Sequence, residues 1–198
     1  MLAILIFVVL GYLAGSIATA ILVCQALGLP DPREAGSRNP GATNVLRFGG
    51  KKAAAITLAG DLFKGLLPVL LARLAGLDAT GLALTALAAF LGHLYPIFFG
   101  FAGGKGVATA FGALLGLSWP VALAALATWL LMAWIVRVSS LSALTAAALT
   151  PLFAWGFGLS GVALAVVLLM VGLLVWRHRS NIRHLLAGTE DQIGSDRP

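Results

Sequence analysis

From Leu2 to Leu27 the chain runs without a single charged side chain, and apolar runs of similar character recur along its length. A helix that crosses a bilayer needs about 20 mostly apolar residues, and these runs are long enough. Only 10% of the 198 residues are charged and 60% are hydrophobic, against about 25% charged in a soluble domain. Such a chain cannot cover its own surface with polar groups in water. The expectation is all-α: a polytopic transmembrane helix bundle forming one integral membrane domain over residues 1–198. Met1 to Pro30 has no basic leading region, and its apolar run exceeds the roughly 7–15 residues of a signal-peptide core. It reads as a retained span. The single cysteine, Cys24, excludes an internal disulfide.

Spans are expected at Leu2–Leu27, Ala53–Leu74, Leu82–Phe101 and Gly161–Trp176. The stretch from Val107 to Val136 is too long for one helix and is punctuated by Ser118-Trp119-Pro120. Proline ends or kinks a helix at the preceding residue, which divides the stretch into 107–117 and 120–136. Leu141–Phe157 adds one more, for about seven spans. The short helix 107–117 either crosses fully or is re-entrant, and in the second case the count falls.

Orientation follows from loop cations. With seven spans, one side collects Arg33, Arg38, Arg47, Lys51, Lys52, Lys105, Arg137, Arg177, Arg179, Arg183 and Arg197, while the opposite loops hold no Lys or Arg and only Arg73 lies near them. The N-terminus is therefore expected outside and the C-terminus in the cytoplasm. The net charge of +6 belongs mostly to that cytoplasmic face. Nucleic acid is not implied, because no basic helix or aromatic stacking platform accompanies the charge.

Anchoring explains many of these cations, but it does not require the company they keep. Three polar segments stand out: Ser37-Arg38-Asn39-Pro40-Gly41-Ala42-Thr43-Asn44, Gly103-Gly104-Lys105-Gly106, and the run from His178 to Glu190. Three glycines around Lys105 allow positive φ and close approach of backbone to a ligand. Consecutive N–H groups there can form an anion-binding nest, and a following helix adds its N-terminal dipole. The full P-loop pattern is lacking. The first segment is rich in turn formers, with Thr43 and Asn44 as hydrogen-bonding groups and Arg38 and Arg47 suited to bidentate phosphate contacts. His178 reads as a general base, a phosphate ligand or an interfacial residue without special role. His93 reads as a packing hydrogen bond inside the third span. Asp61 and Lys64, three residues apart, can pair along one helix face and neutralise each other. Gly11-x-x-x-Gly15 and Gly112-x-x-x-Gly116 permit close helix packing.

No cluster of Asp, Glu and His suits Mg²⁺ or Zn²⁺, and no His-x-x-x-x-Asp pair offers an acyltransferase dyad. A site here has to work with cations, amides and hydroxyls, with neither metal nor cofactor. A different class, a small carrier for a phosphorylated metabolite, would also place cations at one mouth. A pathway, however, needs polar groups on both sides and at the midplane, and the outer loops are nearly bare.

Taken in order, the three segments, with Gly106-Val107-Ala108-Thr109 and His178-Arg179-x-Asn181-Ile182 through Gly188-Thr189-Glu190, resemble the bacterial acyl-phosphate:glycerol-3-phosphate acyltransferase family, PlsY. The resemblance spans the chain, with one departure: His184 stands where Arg or Lys is expected. It implies transfer of a fatty acyl group from acyl phosphate to the 1-hydroxyl of glycerol 3-phosphate, at the cytoplasmic face of a bacterial inner membrane. It implies catalytic roles for His178, Lys105, Ser37 and Asn181. Substrate contacts are implied for Arg38, Asn39, Gly41, Thr43, Asn44, Arg47, Gly103, Gly104, Gly106, Thr109, Ser140, Arg183 and Glu190. Membrane lipid and the enzyme that supplies the acyl phosphate are the implied partners.

Overall fold

The computed structural model describes residues 1–193. Arg197, counted above among the cytoplasmic cations, lies outside the described residues. Among them the regular elements are helical: α1 (Leu2–Gly15), α2 (Thr19–Ala26), α3 (Ala42–Leu74), α4 (Ala79–Leu94), α5 (Val107–Leu117), α6 (Trp119–Val136), α7 (Ser139–Gly156), α8 (Gly161–Arg177) and α9 (Arg179–Leu186), with a 3₁₀ turn at Ile97–Phe99. The chain falls into two compact units, Met1–Leu117 and Ser118 onward.

The helix ends follow local chemistry. Pro120 sits in the first turn of α6, where its missing N–H costs nothing, so the break falls at Ser118 as the sequence indicates. The third apolar run stops at Leu94 instead of running to Phe101, because Pro96 forces the residues before it out of the helical region. The first run is broken between Gly15 and Thr19, where Ala18 adopts φ −79°, ψ 82°. α3 begins eleven residues before Ala53, and Gly50 (φ 77°, ψ 178°) kinks it. Thr43, Asn44 and Arg47, expected in a loop, are therefore helical. Beyond the kink, about 35 Å of helix remains at roughly 1.5 Å per residue.

Leu2–Ala26, Ala42–Leu74, Ala79–Phe99 and Trp119–Val136 are long and apolar enough to cross a membrane, and α8 with α9, bent by 57°, adds a fifth candidate. α5 has 11 residues, about 16 Å, roughly half of a hydrocarbon core about 30 Å thick. Its C-terminus is closed by Arg73. The guanidinium donates to the Gly116 carbonyl from Nε and Nη2 at 3.1 and 2.9 Å, and to the Leu117 carbonyl from Nη2 at 2.9 Å. A helix that ends away from water needs such a donor. Three hydroxyls on α7 are likewise satisfied locally: Ser142, Thr145 and Thr150 donate to the carbonyls four residues back at 2.7–2.9 Å. Leu74, Trp134 and Trp155 stand exposed, an arrangement suited to lipid.

In the first unit α1 packs on α4, and α3 packs on α4 and α5. Both glycine pairs lie at these seams. A Cβ on Gly15 would overlap the Ala89 carbonyl, and one on Gly92 the Tyr12 carbonyl. Gly112 meets the Leu62 carbonyl in the same way, and Gly65 the Thr109 carbonyl. The backbones are too close for any side chain, as small-residue membrane interfaces allow. Gly15→Leu is therefore expected to lower the detergent melting temperature markedly, since overpacking costs about 1–3 kcal/mol or more. Gly172→Ala, where a Cβ has nothing within 4 Å, should leave it unchanged. Thermal unfolding of the two variants side by side checks this.

Candidate active site

The segment before α3 is folded by one side chain. Asn44 is 1% exposed. Its Oδ1 accepts from the Ser37 N–H at 2.7 Å, and its Nδ2 donates to the Pro32 and Ala35 carbonyls, both at 3.0 Å. Both amide hydrogens are thereby committed to backbone, so this residue shapes the loop instead of offering donors to a ligand. Below it, Val45 and Ala53 pack with Ala20, Val23 and Cys24 of α2. The clasp presents Ser37, Arg38, Thr43 and Arg47 at the surface. Arg38 takes a left-handed conformation, φ 57°, which is uncommon without glycine and is typical of strain held at functional sites. Gly41, in extended backbone, carries no side-chain cap onto α3, and its carbonyl accepts from the Asn44 and Val45 N–H groups at 3.0 and 3.1 Å. Arg33 is a different kind of cation. It binds Asp31 through Nε and Nη2, the closest contact being 2.6 Å. That hydrogen-bonded pair holds the Asp31 carboxyl below its usual range and spends the Arg33 charge locally.

The Gly-Gly-Lys-Gly loop lies directly against this segment. A Cβ on Gly104 would come within 2.9 Å of the Pro40 carbonyl and would overlap Nε2 of His93. A Cβ on Gly103 would overlap the His93 carbonyl and reach within 2.6 Å of Pro96. The Gly104 N–H donates to the His93 carbonyl at 3.2 Å. Gly106 has φ +85° and leads straight into α5. Lys105 is half-buried between these glycines. Thr109, in the first turn of α5, is fully buried, with its hydroxyl 3.1 Å from Nδ1 of His93. It is an internal contact of the loop's foundation.

The second unit holds its own cluster. His178 is 3% exposed at the bend between α8 and α9. Its Nδ1 lies 2.8 Å from the Leu174 carbonyl. A carbonyl can only accept, so that nitrogen carries a proton, and in the neutral ring Nε2 is the basic atom. Oε1 of Glu190 accepts from Ser140 Oγ at 2.5 Å and from Asn181 Nδ2 at 2.6 Å. Its Oε2 is 3.6 Å from Nδ1 of His184, the position that departs from the family pattern. Glu190 is an acceptor-only group that ties Ser140 to Asn181, a poor phosphate contact but a good organiser. Arg183 is exposed on α9. The Ile193 N–H, beyond Glu190, donates to the Arg137 carbonyl at 2.6 Å.

Within the first unit the structure thus joins the segments around Asn39–Gly41 and Gly103–Gly106, and within the second it joins Ser140, Asn181 and Glu190. Sequence reasoning placed His93 in packing and Asp61 in a neutralised pair. It missed that His93 lies under Gly104 and within 3.5 Å of Asp61 Oδ1. The one available signal was an ionisable side chain inside each of two apolar helices, at Asp61 and His93, with Lys105 in the loop before a third. Among the described residues, no three His, Cys, Asp or Glu side chains converge as metal ligands.

These features define a class: a polytopic helical membrane protein with cations, amides and hydroxyls gathered at the ends of its helices. The family model described as glycerol-3-phosphate acyltransferase matches residues 5–188. A glycerol-3-phosphate acyltransferase of Thioalkalivibrio sulfidiphilus is 60% identical over 93% of this chain and 91% of its own. One of Methylococcus capsulatus is 54% identical over 94% of each. The crystal structure of the integral membrane glycerol 3-phosphate acyltransferase PlsY in its glycerol 3-phosphate form superposes with a TM-score of 0.92, at 41% identity over 96% of both chains. Its lysophosphatidic acid form gives 0.89 at 39% identity, over 96% of this chain and 95% of its own. The chain belongs to the glycerol-3-phosphate acyltransferase family. It is an acyltransferase, and the carrier alternative finds no support in these relatives.

Proposed function

We propose that the protein transfers a fatty acyl group from acyl phosphate to the 1-hydroxyl of glycerol 3-phosphate, releasing 1-acylglycerol 3-phosphate and inorganic phosphate. The observation that carries this reading is the seating of the Gly-Gly-Lys-Gly loop against the Pro40 carbonyl, which puts two phosphate-type segments side by side. The likeness to a glycerol 3-phosphate form supports the acceptor.

Both substrates are phosphorylated, so anion binding is most of the task. Acyl phosphate is a mixed anhydride. The hydroxyl oxygen attacks its carbonyl carbon, the bond from that carbon to the phosphate oxygen breaks, and phosphate leaves without a protein nucleophile. Cations and N–H donors that hold the phosphates supply electrostatic stabilisation, and holding the hydroxyl in line supplies the rest. In this reading Arg47 and Arg38 bind the glycerol 3-phosphate phosphate. Lys105 and the Gly103, Gly104 and Gly106 backbone stabilise charge on the leaving phosphate, with Ser37, Asn39, Gly41 and Thr43 alongside. Asn44 and Thr109 shape these loops. Ser140 and Asn181, ordered by Glu190, and Arg183 contribute further polar contacts. The hydroxyl proton passes to a phosphate oxygen of the donor or to Nε2 of His178. The acyl chain lies among the helices in contact with lipid.

In the same reading the chain is one integral membrane domain of about seven spans in a bacterial inner membrane. Its N-terminus is outside, and its polar segments face the cytoplasm, where a supplying enzyme delivers acyl phosphate. The reaction needs no metal. Purified protein should move labelled acyl groups from acyl phosphate to glycerol 3-phosphate at undiminished rate in EDTA, and should not use acyl-CoA. Efficient turnover with acyl-CoA, or loss on chelation that added divalent metal restores, would reject this mechanism.

A further inference from the structure

The first unit buries a polar network that the reaction as described does not use. Asp61, Lys64 and His93 are 3%, 7% and 6% exposed, in helices whose other buried residues are uncharged. Ionisable groups at membrane depth are costly and seldom incidental. The break between α1 and α2 leaves the Ile17 carbonyl without its helical partner, because the Ile21 and Leu22 N–H groups both bond to Ala18. Lys64 fills that gap, with Nζ 2.8 Å from the Ile17 carbonyl and 2.7 Å from Asp61 Oδ1. The same Asp61 oxygen lies 3.5 Å from Nδ1 of His93, which also meets the Thr109 hydroxyl at 3.1 Å. The opposite ring nitrogen, Nε2, abuts Gly104, and the His93 carbonyl receives the Gly104 N–H. Neutralisation of Asp61 by Lys64 alone would not need a histidine. An imidazole with one edge on Asp61 and Thr109 and the other on Gly104 joins the deep charges to the loop.

We propose that His93 is a positioning residue for acyl transfer: held at Nδ1 by the Thr109 hydroxyl, with Asp61 alongside, it sets the conformation of Gly103–Gly106 and so the aim of Lys105 and the loop N–H groups at a substrate phosphate. This rests on the function proposed above. The ring works as a spacer of fixed length and direction. Aliphatic residues at 93 would leave the Thr109 hydroxyl without its hydrogen-bond partner, Asp61 without the imidazole beside it and Gly104 without the ring that its backbone abuts, and a buried group left unmatched shifts its surroundings.

Two readouts separate this inference from the function it rests on. Hydrogen–deuterium exchange of the loop peptide in detergent needs no turnover. His93→Ala should raise exchange across Gly103–Gly106, and Thr109→Val should do so more weakly. His93→Gln, whose amide reaches toward Gly104, should restore protection. Kinetics should then show KM for a phosphorylated substrate raised about 10-fold in His93→Ala and largely recovered in His93→Gln, whose melting temperature should stay near that of the unchanged protein. Unaltered loop exchange in both His93→Ala and Thr109→Val overturns the positioning role, whatever the enzyme does. So does a uniform fall in stability and kcat that glutamine does not relieve. Wild-type protein that fails to acylate glycerol 3-phosphate defeats the functional reading instead, and the exchange measurement still decides the role of His93.

Discussion

Replacing Lys105 with alanine is expected to lower kcat/KM for acyl transfer about 10- to 150-fold. One charge-assisted contact is worth roughly 1.5–3 kcal/mol, and each 1.4 kcal/mol or so is tenfold in rate. Lys105 is the one full charge in a loop whose other members are glycines, so nothing adjacent replaces it. The loop itself is expected to survive, because Gly103 and Gly104 pack against His93, Pro96 and the Pro40 carbonyl. Lys105→Arg is not a conservative change: the planar fork is bulkier and differently directed, and its recovery should be partial. Steady-state kinetics with both substrates varied, beside a melting curve, check the result. Normal kinetics in Lys105→Ala would remove the residue from the site.

The second large effect belongs to Glu190. Its side chain is 10% exposed, and one oxygen takes hydrogen bonds from both Ser140 and Asn181. Glu190→Ala removes a shared acceptor from two donors on different elements. Each donor so deprived costs about 1–3 kcal/mol where it is shielded from water, and about 2 kcal/mol corresponds to about 4–8 °C in melting temperature at this chain length. Turnover should fall with it, since Asn181 loses its anchor. Glu190→Gln keeps an acceptor oxygen and should recover most stability, with activity following. If Glu190→Ala instead retains its melting temperature while KM alone rises, the carboxylate is a substrate contact and not an organiser.

Much of the molecule is legible in one dimension. The charge-free runs determine a helical membrane protein, because hydrocarbon satisfies neither charges nor unpaired backbone groups. Pro120 marks the start of α6, and both Gly-x-x-x-Gly pairs mark helix seams, because backbone approach depends on the local absence of a Cβ. The glycine-lysine loop and the Ser37–Asn44 segment announce anion chemistry through side-chain type alone. Other features were out of reach. Asn44 reads as a ligand until its three backbone partners are seen. The helical start at Ala42 is stabilised by packing of Val45 on α2, which no propensity reports. Glu190 reads as part of a motif, yet its partner Ser140 lies 50 residues away. His93 looks like a packing residue because Asp61, Thr109 and Gly104 reach it from α3, from α5 and from the loop before α5. Residue type and local spacing carry what a side chain can do; only the tertiary fold decides which partners consume that capacity and which groups remain to meet a substrate.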